Sequence, residues 1–167
     1  MISTADGFIL DVRGTLHFFD TRSANLPANL PVEMTALQAW NLIIAEPLPL
    51  MKTAFRIRDA VASRFGVKRI GGFSGVPRET VSIGDRLDFF LVEHVEPNAL
   101  VLTERDRHLD VMTSIQILDR RLTITSSVIT HNAFGRLYML PVGPAHKLIV
   151  STMLKRLQRK LVRPLAV

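Results

Sequence analysis

T-E-R-D-R-H-L-D-V-M-T-S-I-Q, residues 103–116, sets a charged knot, Glu104 to Asp110, against the start of an alternating strand. From His108 the alternation is strict. His108, Asp110, Met112, Ser114 and Gln116 fall on one side, and Leu109, Val111, Thr113, Ile115 and Ile117 on the other, as a period of two requires. Downstream, Asp119-Arg120 reads as a turn, and a second strand alternates from Leu122 to His131. Upstream, 85–95 and 100–105 read as two more strands, joined by a turn at Glu96-Pro97-Asn98-Ala99. Threonine- and valine-rich runs of this kind suit an antiparallel sheet with one buried face. Asn132 to Gly135 bends the chain, and 136–142 reads as a last strand. Gly143-Pro144 then opens a final helix with an inner stripe of Val150, Met153, Leu154, Leu157 and Leu161.

Two helices are expected before the sheet run. Thr35 and Gln38 make a capping box, and Leu37, Trp40, Asn41 and Ile44 follow at helical spacing until Pro47. A second helix is expected over about 50–65, closed by Gly66, with Arg58 inside its apolar stripe. Arg58 either snorkels past the core edge or projects into a cavity as a fixed cation. A first strand is expected over 20–26, ahead of Pro27 and Pro31, and residues 1–19 find no firm place. The glycines at 71, 72, 75 and 84 mark an irregular connection over a cavity mouth, in neither dinucleotide-fingerprint nor P-loop order. The whole chain is read as a single α+β domain over residues 1–167.

Composition narrows the function classes. The 167 residues carry 47% hydrophobic and 22% charged side chains, which is globular rather than disordered. Mean hydropathy is +0.22, yet no apolar run reaches the roughly 18 residues of a membrane span. A large core, an internal cavity or a buried interface accounts for the surplus. The absence of cysteine excludes disulfides, thiolate metal sites and thiol catalysis. No signal-peptide pattern opens the chain, so the cytoplasm is the expected compartment. The net charge of +6 gathers near the end, at Lys155, Arg156, Arg159, Lys160 and Arg163. Such a block suits a solvated helix end or an anionic surface. No nucleic-acid partner is expected.

Several segments together resemble the START and polyketide-cyclase-like (SRPBCC) superfamily, and more narrowly a bacterial domain-of-unknown-function family within it. They are R-I-R-D-A-V-A-S-R-F-G-V at 56–67, V-S-I-G-D-R at 81–86, D-R-H-L-D at 106–110, H-N-A-F-G-R-L-Y at 131–138, V-G-P-A-H-K-L-I-V at 142–150 and M-L-K-R at 153–156. Ala145 departs from the pattern, which favours an aromatic before the histidine. The resemblance implies a helix-grip fold, in which a curved antiparallel sheet wraps a long C-terminal helix around an apolar cavity. It implies no established reaction, cofactor or metal.

Two sets of residues could carry chemistry. Asp106, His108 and Asp110 would share one side of an extended strand, as an acid–base pair or a metal site needs. A salt-linked turn with Arg105 and Arg107 is the plainer alternative. His131, Asn132, Tyr138 and His146 form the second set, either fixing turns or ending an apolar pocket with convergent polar groups. The leading expectation is a small hydrophobic or amphipathic ligand held by Arg58, His108, Asn132, Tyr138 and His146. One alternative is a cyclase or dehydratase with His108 or His131 as general base beside Asp110, and Tyr138 or Arg58 steadying an oxyanion. Another is a homodimeric interaction module, burying Phe89-Phe90 against a second copy. No G-x-S-x-G elbow supports a nucleophilic serine.

Overall fold

The computed structural model describes residues 1–5, 7–28, 30, 33–45, 56, 59 and 71–162. The expected second helix, with Arg58, lies outside them, apart from Arg56 and Asp59.

The two halves of the sequence's alternating run become the longest strands, β7 (Leu109–Leu118) and β8 (Arg121–Thr130), paired antiparallel over their full length. Asp119 and Arg120 both take positive φ, 48° and 57°, the twist that a two-residue hairpin turn needs. β6 (Ala99–Arg105) and β5 (Phe90–Glu96) extend the sheet on one side, followed by the short β4 (Arg86–Leu87). A register shift between Val92 and His94 marks a bulge in β5. On the far side β3 (Phe18–Asn25) pairs with β8. The six strands run in the order β3-β8-β7-β6-β5-β4, all antiparallel.

Helix α1 (Ala36–Ile44) starts where the capping box places it: the Gln38 amide donates to Thr35 Oγ1, and the Thr35 amide donates to Gln38 Oε1. Its first amide, on Ala36, donates to the carbonyl of Pro97 in the β5–β6 turn at 2.8 Å. The helix is thereby docked on the sheet by an otherwise orphan donor. Asn41 bonds the backbone of Arg78 in both directions and so ties the 71–85 loop to α1. Leu37, Trp40, Ile43 and Ile44 join Leu100, Leu102, Ile115 and Leu122 in the core.

The C-terminal helix is longer than expected. α2 spans Ala133–Val162, so the predicted strand over 136–142 is helix, and the helix begins ten residues before Gly143. Pro141 and Pro144 lie inside it. Each lacks the amide that would bond the carbonyl four residues back, at Leu137 and Leu140. Both prolines are exposed, where water can serve those carbonyls. Helix α2 packs chiefly on β3. The fold is α+β, a curved antiparallel sheet with a long C-terminal helix, consistent with a helix-grip arrangement.

The N-terminal residues find a place that the sequence did not disclose. β1 (Ile2–Thr4) and β2 (Gly7–Ile9) form a hairpin against β7 and β8. The Phe8 amide donates to Ser114 Oγ, and the Leu10 amide to Ser127 Oγ. Ser114 and Ser127 point away from α2, so this hairpin covers the sheet's outer face. Ile9 and Met112 are buried there, and Thr21–Thr125 and Ser23–Thr123 pair across the strands.

Candidate functional site

Between the inner face of the sheet and α2 lies a cavity of about 290 Å³. Its walls come from the sequence's alternation. Leu109, Val111 and Thr113 of β7 and Ile124, Ser126 and Val128 of β8 face it in register. Thr113 and Ser126 pair directly, with their hydroxyls 3.2 Å apart. One end is aromatic. Trp40 packs edge-on against Phe73 and Phe90 at 5.5 and 6.0 Å, and Phe89 lies 4.3 Å from Phe90. The Phe89-Phe90 pair is thus packed within the chain's own core, and Phe73 brings the glycine-marked loop into the same wall.

Helix α2 contributes Tyr138, Met139, Val142 and His146. Gly143 lets the helix approach β3: a Cβ there would stand 3.2 Å from the Phe18 ring. Phe18 in turn meets His146 edge-on, with centroids 5.6 Å apart. Burial holds the His146 imidazole below its ordinary value of 6.5; Asp20 pulls the other way more weakly, and Arg22 adds to the lowering. His146 is therefore a neutral donor and acceptor at neutral pH. Asp20 is buried on the inner face of β3, and both its oxygens accept from Arg22 Nε at 3.1 Å. The acidic lining groups are Glu104, paired with Arg86 at 3.3 Å, and Asp106.

His108 and Asn132 stand elsewhere. β7 begins at Leu109, so Asp106 and His108 belong to the turn rather than to an extended strand. Asp106 Oδ1 accepts the amides of His108 and Leu109 and fixes that turn. His108 Nε2 accepts from Arg107 Nε, so Nδ1 carries the proton and donates to Asn132 Oδ1 at 3.1 Å. Asn132 also donates to the Arg107 carbonyl and accepts the Gly135 amide. That last bond makes Asn132 the N-cap of α2. The His131 amide donates to the His108 carbonyl, and the His108 ring packs on Phe134 at 4.6 Å. D-R-H-L-D and H-N-A-F-G are thus two sides of one joint, which clamps the start of α2 to the β6–β7 turn.

Asp110 and His131 meet at 3.0 Å on the sheet's outer face, beside Arg105, which pairs with Glu93 at 2.7 Å. They do not line the cavity. Of the sequence-predicted ligand contacts, Tyr138 and His146 line it, His108 and Asn132 do not, and Arg58 is outside the described residues. Thr113, Ser126 and Glu104 line it without having been read as cavity contacts. Thr113 and Ser126 did carry a signal, as hydroxyls set into otherwise apolar inner registers. No three acidic or histidine side chains among the described residues gather into a metal-holding group. No helix among them is long and apolar enough to cross a membrane.

A family described as "Protein of unknown function (DUF2867)" matches residues 12–153, and the chain belongs to it. The β1–β2 hairpin precedes the matched region. No curated protein and no solved structure matches the chain.

Proposed function

We propose that this is a cytoplasmic START/polyketide-cyclase-like protein that holds a small hydrophobic or amphipathic molecule between sheet and α2. The observation that carries the reading is the cavity itself. At about 290 Å³ it stands near the lower end of ligand pockets, and its mostly apolar wall is interrupted by a few polar groups. The hydroxyls of Thr113, Ser126 and Tyr138 and the neutral imidazole of His146 would orient a ligand's polar atoms, and the aromatic end would take its apolar body. His108 and Asn132 would act on the ligand only through the placement of α2.

The test is native mass spectrometry of the full chain as purified, followed by denaturing extraction, alongside titration with a hydrophobic fluorescent probe. A co-purifying apolar molecule, or saturable probe binding that Val142→Phe weakens at least tenfold, is the expected result. A folded protein that carries nothing and binds no apolar probe overturns the reading.

His146 favours a second reading, a cyclase or dehydratase. A desolvated neutral imidazole in a cavity is suited to act as a general base, a role the sequence had offered to His108 or His131. Incubating any extracted ligand with the protein would then convert it to a species lighter by one water, the dehydration that this reading requires, whether or not a ring has closed first. An unchanged mass, or a change that survives His146→Ala, removes this reading.

A further inference from the structure

The outward face of α2 is apolar along its first half. Leu137, Leu140 and Leu148 are 65%, 68% and 64% exposed, and Pro141 and Pro144 are exposed between them. Positions 137, 141, 144 and 148 follow spacings of four, three and four, which keeps them on one side of a helix. That side is opposite the stripe of Val150, Met153, Leu154 and Leu157 that enters the core.

The same helix carries no aspartate or glutamate from Ala133 to Val162. It carries six exposed cations: Arg136, Lys147, Lys155, Arg156, Arg159 and Lys160. Lys155 and Arg159 continue the line of the exposed leucines by helical spacing. A leucine- and proline-bearing ridge that runs into an acid-free basic end has two requirements, apolar contact and negative charge. A second copy meets only the first, because an isologous contact would set this acid-free face against itself. A nucleic acid meets only the second, since the exposed leucines have no role on a phosphate backbone. The interface of an anionic bilayer meets both.

We infer that α2 docks this protein, flat and peripherally, on an anionic membrane surface. Leu137, Leu140 and Leu148 enter the headgroup boundary, and Lys155 and Arg159, on the same line of the helix, pair with lipid phosphates. The cavity opens against the inner side of the same helix, so docking sets the bilayer one helix away from it. The inference does not need the cavity to be filled.

Co-sedimentation of the full chain with phosphatidylcholine vesicles, with and without phosphatidylserine, tests it. Binding is expected only with phosphatidylserine, and it should weaken as salt rises. Each cation removed near the surface weakens partitioning roughly fivefold. Lys155→Gln with Arg159→Gln is therefore expected to lower it by more than tenfold and flatten the salt dependence. Leu140→Ser with Leu148→Ser is expected to lower it while leaving the salt dependence in place. Because these side chains face solvent, unchanged thermal unfolding checks that the variants fold. The inference is overturned by absence of binding to anionic vesicles at low salt. It is equally overturned by a dimer in sedimentation velocity that the leucine variant dissolves, or by nucleic-acid binding that competes with vesicles and ignores the leucines. Vesicle binding is read on the ligand-stripped protein, so its failure leaves the cavity proposal standing, and the reverse.

Discussion

A methyl group built on Gly135 would overlap the carbonyl oxygen of His108 and stand 3.2 Å from Thr130 Cβ. The oxygen is backbone and already accepts the His131 amide, so it has no room to yield. Two effects of Gly135→Ala oppose each other. Alanine favours a helix by about 1 kcal/mol over glycine, whereas overpacking at a fixed contact costs about 1–3 kcal/mol. The clash wins, and a net loss of up to about 2 kcal/mol is expected in urea unfolding. A stabilised variant would mean that α2 does not press on the β6–β7 turn. His146 is tested by pH. Its folded pKa lies below its ordinary 6.5 because burial disfavours the charged ring. Below that value the unfolded chain therefore binds the proton more readily. Stability must fall as pH drops through about 6.5 and level off only below the folded value. His146→Leu removes this one titration and leaves the other four histidines. The difference between wild-type and variant melting temperatures should open in that window, with the wild type losing more on acidification.

At the scale of elements, the two prolines of α2 carry the main lesson. Pro144→Ala supplies the missing amide to the Leu140 carbonyl and removes a helix breaker at an exposed site. Proline in a helix interior is about 3 kcal/mol worse than alanine, and the freer unfolded chain returns part of that, about 0.4–1 kcal/mol. A net gain of about 2 kcal/mol is expected by chemical denaturation. Were the helix to start at Gly143, Pro144 would sit in its first turn, where proline is harmless, and no gain would appear. The sequence pointed to that later start because proline is a local signal. The continuation of α2 depends on distant partners: Asn132 and His108 at its cap, and Phe18 beneath Gly143. The strands were legible where period and turn chemistry agreed, as at Asp119-Arg120 and Pro97-Asn98. The β1–β2 hairpin was not, because its partners Ser114 and Ser127 lie more than a hundred residues away. Ile9, at the end of β2 in that hairpin, is 2% exposed. Ile9→Ala should cost about 2–4 kcal/mol, far more than a loose N-terminal tail would allow.

For the whole molecule, the question is whether the space between sheet and α2 stands open or closes by repacking. The alternation of β7 and β8 divided the side chains into two sets, but it did not say which set faces inward or that this set would stop short of α2. That gap depends on how far the helix is held off the sheet, and the joint of His108 with Asn132 and the contact of Gly143 with Phe18 set it. Both are three-dimensional coincidences of small or polar residues that no local pattern displays. Val142 sits on the α2 wall and is half-buried, so enlarging it reads the gap directly. In a filled core, Val142→Phe would force neighbours off their rotamers and cost about 1–3 kcal/mol. In an open cavity, the added ring carbons leave water for an apolar wall and contribute about 0.8 kcal/mol per methylene equivalent. The variant is therefore expected to melt at the same temperature as the wild type or higher, and to lose affinity for an apolar probe at least tenfold. Retained stability with lost binding separates a preformed ligand site from a packing fault. A fall in stability with binding unchanged would place the probe elsewhere and close the cavity as a site.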